Sequence, residues 1–337
     1  MNEHDSKAGL ALDSALRGAR WLLALLEPDG SLRTARNLTA YYKTPFGLVV
    51  AGHVSEAERM LDYVAATYMT PDGDLDGSGV PWYQQFRIYP HAWLTCAAMA
   101  RGRFEMAREL TGVLERHFDP ATGGFFATRE GASKREGPQE IMTTSMAGLA
   151  CLWAGRHDIA RETGRWLRNL LEAQPDLTRG LYQVWDSRSG LVTEFPAEQA
   201  SGFLVDATKL RQWYFQYGIS AAFLSSLGAA TGEIAWILLA QKFLHSCRHC
   251  REDRFLTPQA GKIGWGAAWT YRMTRESRDR ELAHAVIDGL RAIQGQDGSW
   301  NVAGVYSAEP AEDSEPLLDV TSEFVALQGS MGLVHGI

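Results

Sequence analysis

Chemistry in this chain has few places to start. Asp319 and Glu323 stand at the head of an apolar stretch that runs to the C-terminus. A carboxylate one helical turn into an apolar ring needs a partner or takes a raised pKa, which suits a general acid or base. N-capping is the plainer role open to Asp319. His91 follows Pro90 in a helix's first turn, where a proton shuttle and a satisfied structural histidine look alike. Tyr214 completes the expected catalytic set of Glu323, Asp319, His91 and Tyr214. Lys43 and Lys262 each precede strongly apolar stretches and are read as anion-binding residues, snorkelling to solvent being the plainer reading. The chain is rich in rings, with 11 Trp, 11 Tyr and 13 Phe in 337 residues. One at a time such residues belong to a core; together Tyr41, Tyr42, Trp82, Tyr83, Trp93, Trp213, Tyr217, Trp265 and Trp269, with Arg87, favour a substrate cavity. Glu140 and Glu194 are the other carboxylates on offer at the same end of the helices. Cys247-Arg-His249-Cys250 holds two thiols and an imidazole, but the spacing is no established zinc finger and a fourth ligand is missing. The bland reading is free buried thiols, with no metal and no cofactor expected.

The elements that must position these residues alternate between two kinds. Six segments are amphipathic: 12–26, 56–68, 106–117, 158–173, 233–247 and 280–294. Six are apolar or small on nearly all sides: 41–51, 91–101, 142–154, 212–230, 263–273 and 320–334. A helix apolar all round belongs inside, and a one-faced helix belongs around it. Four inner segments stop at a glycine followed at once by an outer one, at Gly52, Gly102, Gly155 and Gly232. Glycine there is the usual left-handed helix stop. The spacings are 50, 53 and 77 residues, which places an insertion in the last interval. Most outer segments run into a Gly-containing turn, such as Asp29-Gly30, Asp72-Gly73 or Asp297-Gly298.

This alternation predicts an all-α fold, an (α/α)6 barrel or toroid that uses residues 1–337 as a single domain. An open helical solenoid is the alternative. Residues 176–210 are the inserted rim segment. Within it Leu181–Trp185 and Leu191–Phe195 flank Asp186-Ser-Arg-Ser-Gly190 and read as a β-hairpin, a lid or a cover for helix ends. In such a ring the inner helices run parallel, so their N-termini meet at one mouth. Their unpaired N–H groups and dipole ends favour an anionic group there. Polar and aromatic residues gather at that end of each inner segment.

Composition bounds the partners. Lys+Arg 33 against Asp+Glu 40 gives a net charge of −7, which speaks against nucleic acid. Four cysteines in this length are no disulfide framework. The N-terminus has no signal-peptide pattern and no apolar run is long enough to span a bilayer, so a soluble cytoplasmic protein with a small-molecule substrate is expected.

Gln294-Gly-Gln-Asp297-Gly298-Ser299-Trp300 resembles the Gln-x-x-Asp-Gly-x-Trp motif of terpenoid cyclases and protein prenyltransferases. Trp21 to Leu32, with Asp29-Gly30, resembles a degenerate copy. The resemblance implies an α/α toroid with a central cavity, in agreement with the helix pattern. The family's Asp-x-Asp-Asp acid motif, its Asp-Asp-x-x-Asp magnesium motif and its zinc set are absent. Asp72-Gly-Asp74-Leu-Asp76 has the wrong spacing and reads as turn chemistry. Lanthipeptide-type cyclases, which are also toroids, use a Cys, Cys, His zinc site, with ligands placed differently from Cys247, His249 and Cys250. The favoured expectation is a biosynthetic enzyme that holds an apolar or conjugated substrate with an anionic end. It would catalyse metal-independent cyclisation, isomerisation or elimination by shape and acid–base chemistry. The alternatives are a carbohydrate-active α/α barrel, whether hydrolase, lyase or epimerase, and a non-catalytic binding toroid.

Overall fold

Apolar residues on every side of a helix leave no face for water, and the structure buries those helices accordingly. The computed structural model describes residues 3–255, 260–301 and 314–335. The inner helices are α2 (Thr44–Val50), α4 (Tyr89–Ala100), α7 (Ile141–Trp153), α10 (Phe215–Thr231), α12 (Gly261–Thr274) and α14 (Ser314–His335). The outer helices are α1 (Glu3–Leu23), α3 (Val54–Thr67), α5 (Phe104–His117), α8 (His157–Glu172), α11 (Ile234–Ser246) and α13 (Ser277–Ala292). In α7 every residue from Ile141 to Leu152 is buried. In α8 burial is confined to one stripe: Ile159, Ala160, Thr163, Gly164, Trp166, Leu167, Leu170 and Leu171. Two short helices, α6 (Arg129–Lys134) and α9 (Ala200–Phe203), have no counterpart in the sequence pattern.

The ring closes. The inner helices pack in cyclic order α2, α4, α7, α10, α12, α14 and back to α2. Each outer helix packs on the inner helix before it in the chain, and α1 completes the set by packing on α14. The fold is therefore an α/α toroid. Among the described residues no helix is long and apolar enough to cross a membrane.

The Asp-Gly turns explain how successive units are joined. Gly298 has φ +95°, and a Cβ there would lie 2.5 Å from the Arg17 carbonyl oxygen of α1. Gly30, with φ +91°, meets the Arg59 carbonyl of α3 in the same way. Only glycine tolerates both the left-handed backbone and that approach. Gln294 completes the last joint: its Oε1 accepts from Ser14 Oγ at 2.9 Å, and its Nε2 donates to the Ser14 carbonyl at 2.9 Å. Trp300 Nε1 donates to the Leu290 carbonyl at 2.8 Å. The Gln-x-x-Asp-Gly-x-Trp motif is thus the clasp between the last outer helix and the first. Gly298→Ala is expected to cost about 1–3 kcal/mol, read as a lowered midpoint in urea unfolding. An unchanged midpoint would mean the clasp bears no load.

The insertion differs from the expected single hairpin. The strands are β1 (Pro138–Glu140), β2 (Gly180–Tyr182), β3 (Val184–Asp186), β4 (Gly190–Leu191) and β5 (Leu204–Asp206). The hairpin is β3–β4 alone; β1 adds to β3, and β2 pairs with β5. Gln183 is the hand-over point. Its N–H donates to the Phe203 carbonyl at 2.9 Å and its carbonyl accepts from Ile141 N–H at 3.1 Å. Leu181 and Val205 are fully buried, so the segment is knitted to the start of α7 rather than hung over it as a separable lid. Inner segment one also starts later than expected, because Leu38–Ala40 forms a 3-10 turn before α2.

Candidate active site at the mouth of the ring

Four charged side chains converge where α2 and α12 begin and where α14, which starts at Ser314, is in its second and third turns. Lys43, at the N-cap of α2, reaches Asp319 at 3.0 Å and Glu323 at 2.5 Å. Lys262, in the first turn of α12, donates to the other oxygen of Glu323. The Thr44 and Ser322 hydroxyls meet at 2.6 Å and tie α2 to α14 beside them. Burial pushes the Glu323 carboxyl up, but Lys262 and Lys43 outweigh it and hold the group down at about 2. Of the two outcomes open to Glu323, a partner or a raised pKa, the structure shows the partner. Its apolar surroundings come with two ammonium partners that sequence spacing could not supply. Burial dominates at Asp319, whose carboxyl lies above its ordinary value even though Lys43 opposes the shift. The Lys43 ammonium lies 4.9 Å from the Tyr42 ring centre, and that of Lys262 lies 5.2 Å from the Phe215 ring centre.

A cavity of about 470 Å³ opens near the starts of α4, α7 and α10, and none of the four cluster residues lines it. Phe86, Phe203 and Trp213 give it aromatic faces, and Gln85, Thr128, Ser201 and Gln216 give it amides and hydroxyls. Phe86 packs edge-on to Trp213 at 6.4 Å, and Trp213 stacks on Phe215 at 5.8 Å. Phe215 in turn underlies Lys262, so a chain of rings links cavity and cluster. Glu140 is the one carboxylate among the residues lining the cavity. It caps α7, accepting from Met142 N–H at 2.7 Å and Thr143 N–H at 2.5 Å. Burial raises its carboxyl to about 7 despite those donors. Pairing of Glu140 with Val184, across β1 and β3, fixes its place. Gln216 Oε1 and Thr143 Oγ1 are buried without a hydrogen-bond partner among the described residues. They are polar atoms left for a ligand or water.

Several expected site residues lie elsewhere. His91 is fully buried, with Nε2 2.9 Å from Asp74 Oδ1 and Nδ1 3.2 Å from the Arg87 carbonyl. Arg87 donates to the other Asp74 oxygen at 2.6 Å. His91 and Arg87 therefore anchor the Asp72-Gly73-Asp74 turn, and Asp74 does more than turn chemistry. Tyr214 donates to Asp253 at 2.6 Å, which commits its hydroxyl. Tyr41 donates nothing to the mouth; its oxygen accepts from Leu32 N–H at 3.0 Å and its ring packs on Tyr63 and Tyr68. Tyr83 donates to the Leu75 carbonyl at 2.7 Å. Tyr217 is buried against Cys250. Trp93 and Trp265 stack on each other at 6.1 Å inside the ring. Trp82 packs on Tyr42 at 5.6 Å. Trp269 lies under Arg272 in the later turns of α12, away from the mouth. Cys247 and Cys250 point inward, while His249 is exposed, so the three do not converge. Among the described residues no three His, Cys, Asp or Glu side chains form a metal-binding group. Burial pushes the Cys247 thiol up to about 12, as expected of an inert buried thiol.

Neither family models nor curated proteins give a match to this sequence. Solved structures do match in fold. The α-1,6-mannanase of Salegentibacter sp. HEL1_6, in complex with α-1,6-mannotetrose, superposes with a TM-score of 0.67 at 13% identity, over 96% of this chain and 99% of that one. A D-mannose isomerase gives 0.68 at 12% identity, over 96% and 99%. The type II terpene cyclase MstE from Scytonema, in complex with merosterolic acid A, gives 0.56 at 14% identity, over 98% and 99%. The α/α toroid predicted from the helix pattern and the cyclase-like motif is the fold these structures share.

Proposed function

We propose that this chain is a carbohydrate-active enzyme that binds a sugar in the mouth cavity and moves a proton on it, with Glu140 as the acid–base group. The cavity lining carries the reading. Aromatic faces alternating with amides and hydroxyls match the mixed apolar and polar faces of a sugar ring, and a buried carboxyl at about 7 suits proton transfer near neutrality. Sugar enzymes among the toroids of the same fold support it. The expected apolar or conjugated substrate needs free aromatic walls on the axis. There Trp93, Trp265 and Phe46 are buried and spend their faces on one another. Lys43 and Lys262 are likewise engaged by Glu323, which leaves less for an anionic substrate end.

Tryptophan fluorescence titration tests the reading. Mannose, uronic acids and short oligosaccharides are expected to quench saturably, and Trp213→Ala is expected to weaken binding by about tenfold, roughly 1.4 kcal/mol. Quenching by isoprenoid or polyene acids alone would return the protein to the cyclase reading.

A further inference from the structure

A groove runs along the outer helix α5. Phe104, Ala107, Arg108, Thr111, Gly112 and Glu115 line it, and Met99 of α4 and Ala154 after α7 complete a hollow of about 420 Å³. Steps of three and four place those six residues on one stripe of the helix. At 1.5 Å per residue the stripe is about 16 Å long. Phe104, at its head, is 66% exposed, the most exposed large apolar side chain among the described residues. A Cβ on Gly112 would meet nothing within 4 Å. Other helix glycines are pressed by their own fold: a Cβ on Gly148 would lie 2.7 Å from Thr163, and one on Gly164 would lie 2.8 Å from Leu227. Glycine inside a helix costs stability, and no neighbour in this chain requires it at Gly112. What it supplies is room for another backbone to come close.

The stripe also carries one charge of each sign, two turns apart. Arg108, with a side chain 67% exposed, is held by Glu105 at 2.6 Å, and Glu115 is met by Arg156. Exposed pairs of this kind are worth little and exchange readily. A second copy of α5 fits both the room and the charges. Laid antiparallel across a two-fold axis, with Thr111 opposite the partner's Gly112, the helices cross at small residues. That register sets Arg108 opposite the partner's Glu115, and symmetry repeats the pair. A parallel arrangement would set Arg108 against Arg108 and is disfavoured. The mixed signs equally disfavour a polyanion as the occupant.

We infer that two copies of this chain pair through α5, antiparallel across a two-fold axis. Gly112 lies at the crossing, Arg108 of each copy meets the partner's Glu115, and Phe104 covers the far end of the partner helix. The patch is self-complementary, as a two-fold contact requires. A contact built on one helix pair is at the small end of protein interfaces, so the dimer is a micromolar one. The groove and the mouth cavity share no lining residue, so the inference stands whatever that cavity binds.

Sedimentation velocity of the full chain tests it. A monomer–dimer equilibrium is expected, with a Kd on the order of 1–10 µM. Arg108→Glu and Glu115→Arg are each expected to raise the Kd by about tenfold, and the double reversal to restore it. Phe104→Asp is expected to raise it by about tenfold or more, as for a buried aromatic anchor. Gly112→Leu fills the crossing and is expected to abolish the dimer. Its thermal unfolding should stay at or above wild type, because glycine is the poorer helix former. Leu238→Asp, at an exposed apolar position on α11, is expected to leave the Kd unchanged. A chain still monomeric at about 200 µM overturns the inference. So does a dimer that survives Gly112→Leu or dissociates with Leu238→Asp. Single reversals that weaken the dimer without rescue by the double reversal overturn the antiparallel register.

Discussion

Glu323→Gln is expected to lower stability by about 3–5 kcal/mol, the usual cost of stripping one partner from a buried ion pair. The substitution removes the charge that Lys43 and Lys262 share; Lys43 keeps Asp319, while the Lys262 ammonium is left out of water without its carboxylate. Equilibrium urea unfolding at pH 7 measures it. A midpoint close to wild type would mean that the cluster is not ion-paired. The pH dependence follows from the same geometry. Glu323 sits at about 2 in the fold against an ordinary 4.5. Its contribution is therefore complete above about 4.5 and is lost as pH falls from there towards 2. Glu323→Gln should flatten that acid limb of the stability curve.

The second large effect is at Glu140. Glu140→Gln is expected to cut turnover by about 10²–10⁴-fold, the range for removing a general acid or base. Its stability signature runs the other way from that of Glu323. Glu140 titrates at about 7 in the fold against an ordinary 4.5, so the native state favours the proton. Stability is then lost as pH rises from about 4.5 to about 7, by at most about 3 kcal/mol. Glutamine is neutral and still offers one oxygen to the α7 N-terminus. The variant is therefore expected to match or exceed wild-type stability at pH 8 while losing activity there. Activity retained per folded molecule would reduce Glu140 to a helix cap. Unchanged pH dependence of stability would mean that its carboxyl is not buried as described.

The helices were legible because their signals are local. All-round apolarity in 142–154 and one-sided apolarity in 158–173 are properties of a dozen adjacent residues, and α7 and α8 fall within a residue or two of those bounds. Glycine stops at Gly52, Gly102, Gly155 and Gly232 adopt the positive φ expected of them. The rim segment was less legible. Pro138–Glu140 and Leu204–Asp206 are too short to alternate, and they become strands only because Val184–Asp186 and Gly180–Tyr182 are there to pair with.

The sequence by itself determined the ring: which segments go inside, where each ends, and that polar side chains gather at the heads of the inner ones. It named Lys43, Lys262, Asp319 and Glu323 one by one. Only the tertiary structure decided their charges, because partners such as Lys43 and Glu323 lie on opposite ends of the chain and meet only when α14 closes on α2. The same closure explains why His91 pairs with Asp74, and strand pairing explains why Glu140 faces a cavity. Periodicity records how a helix divides its own surface. A pKa depends on what another helix brings within a few ångströms, and that is fixed by the rotation and register of helices around the ring.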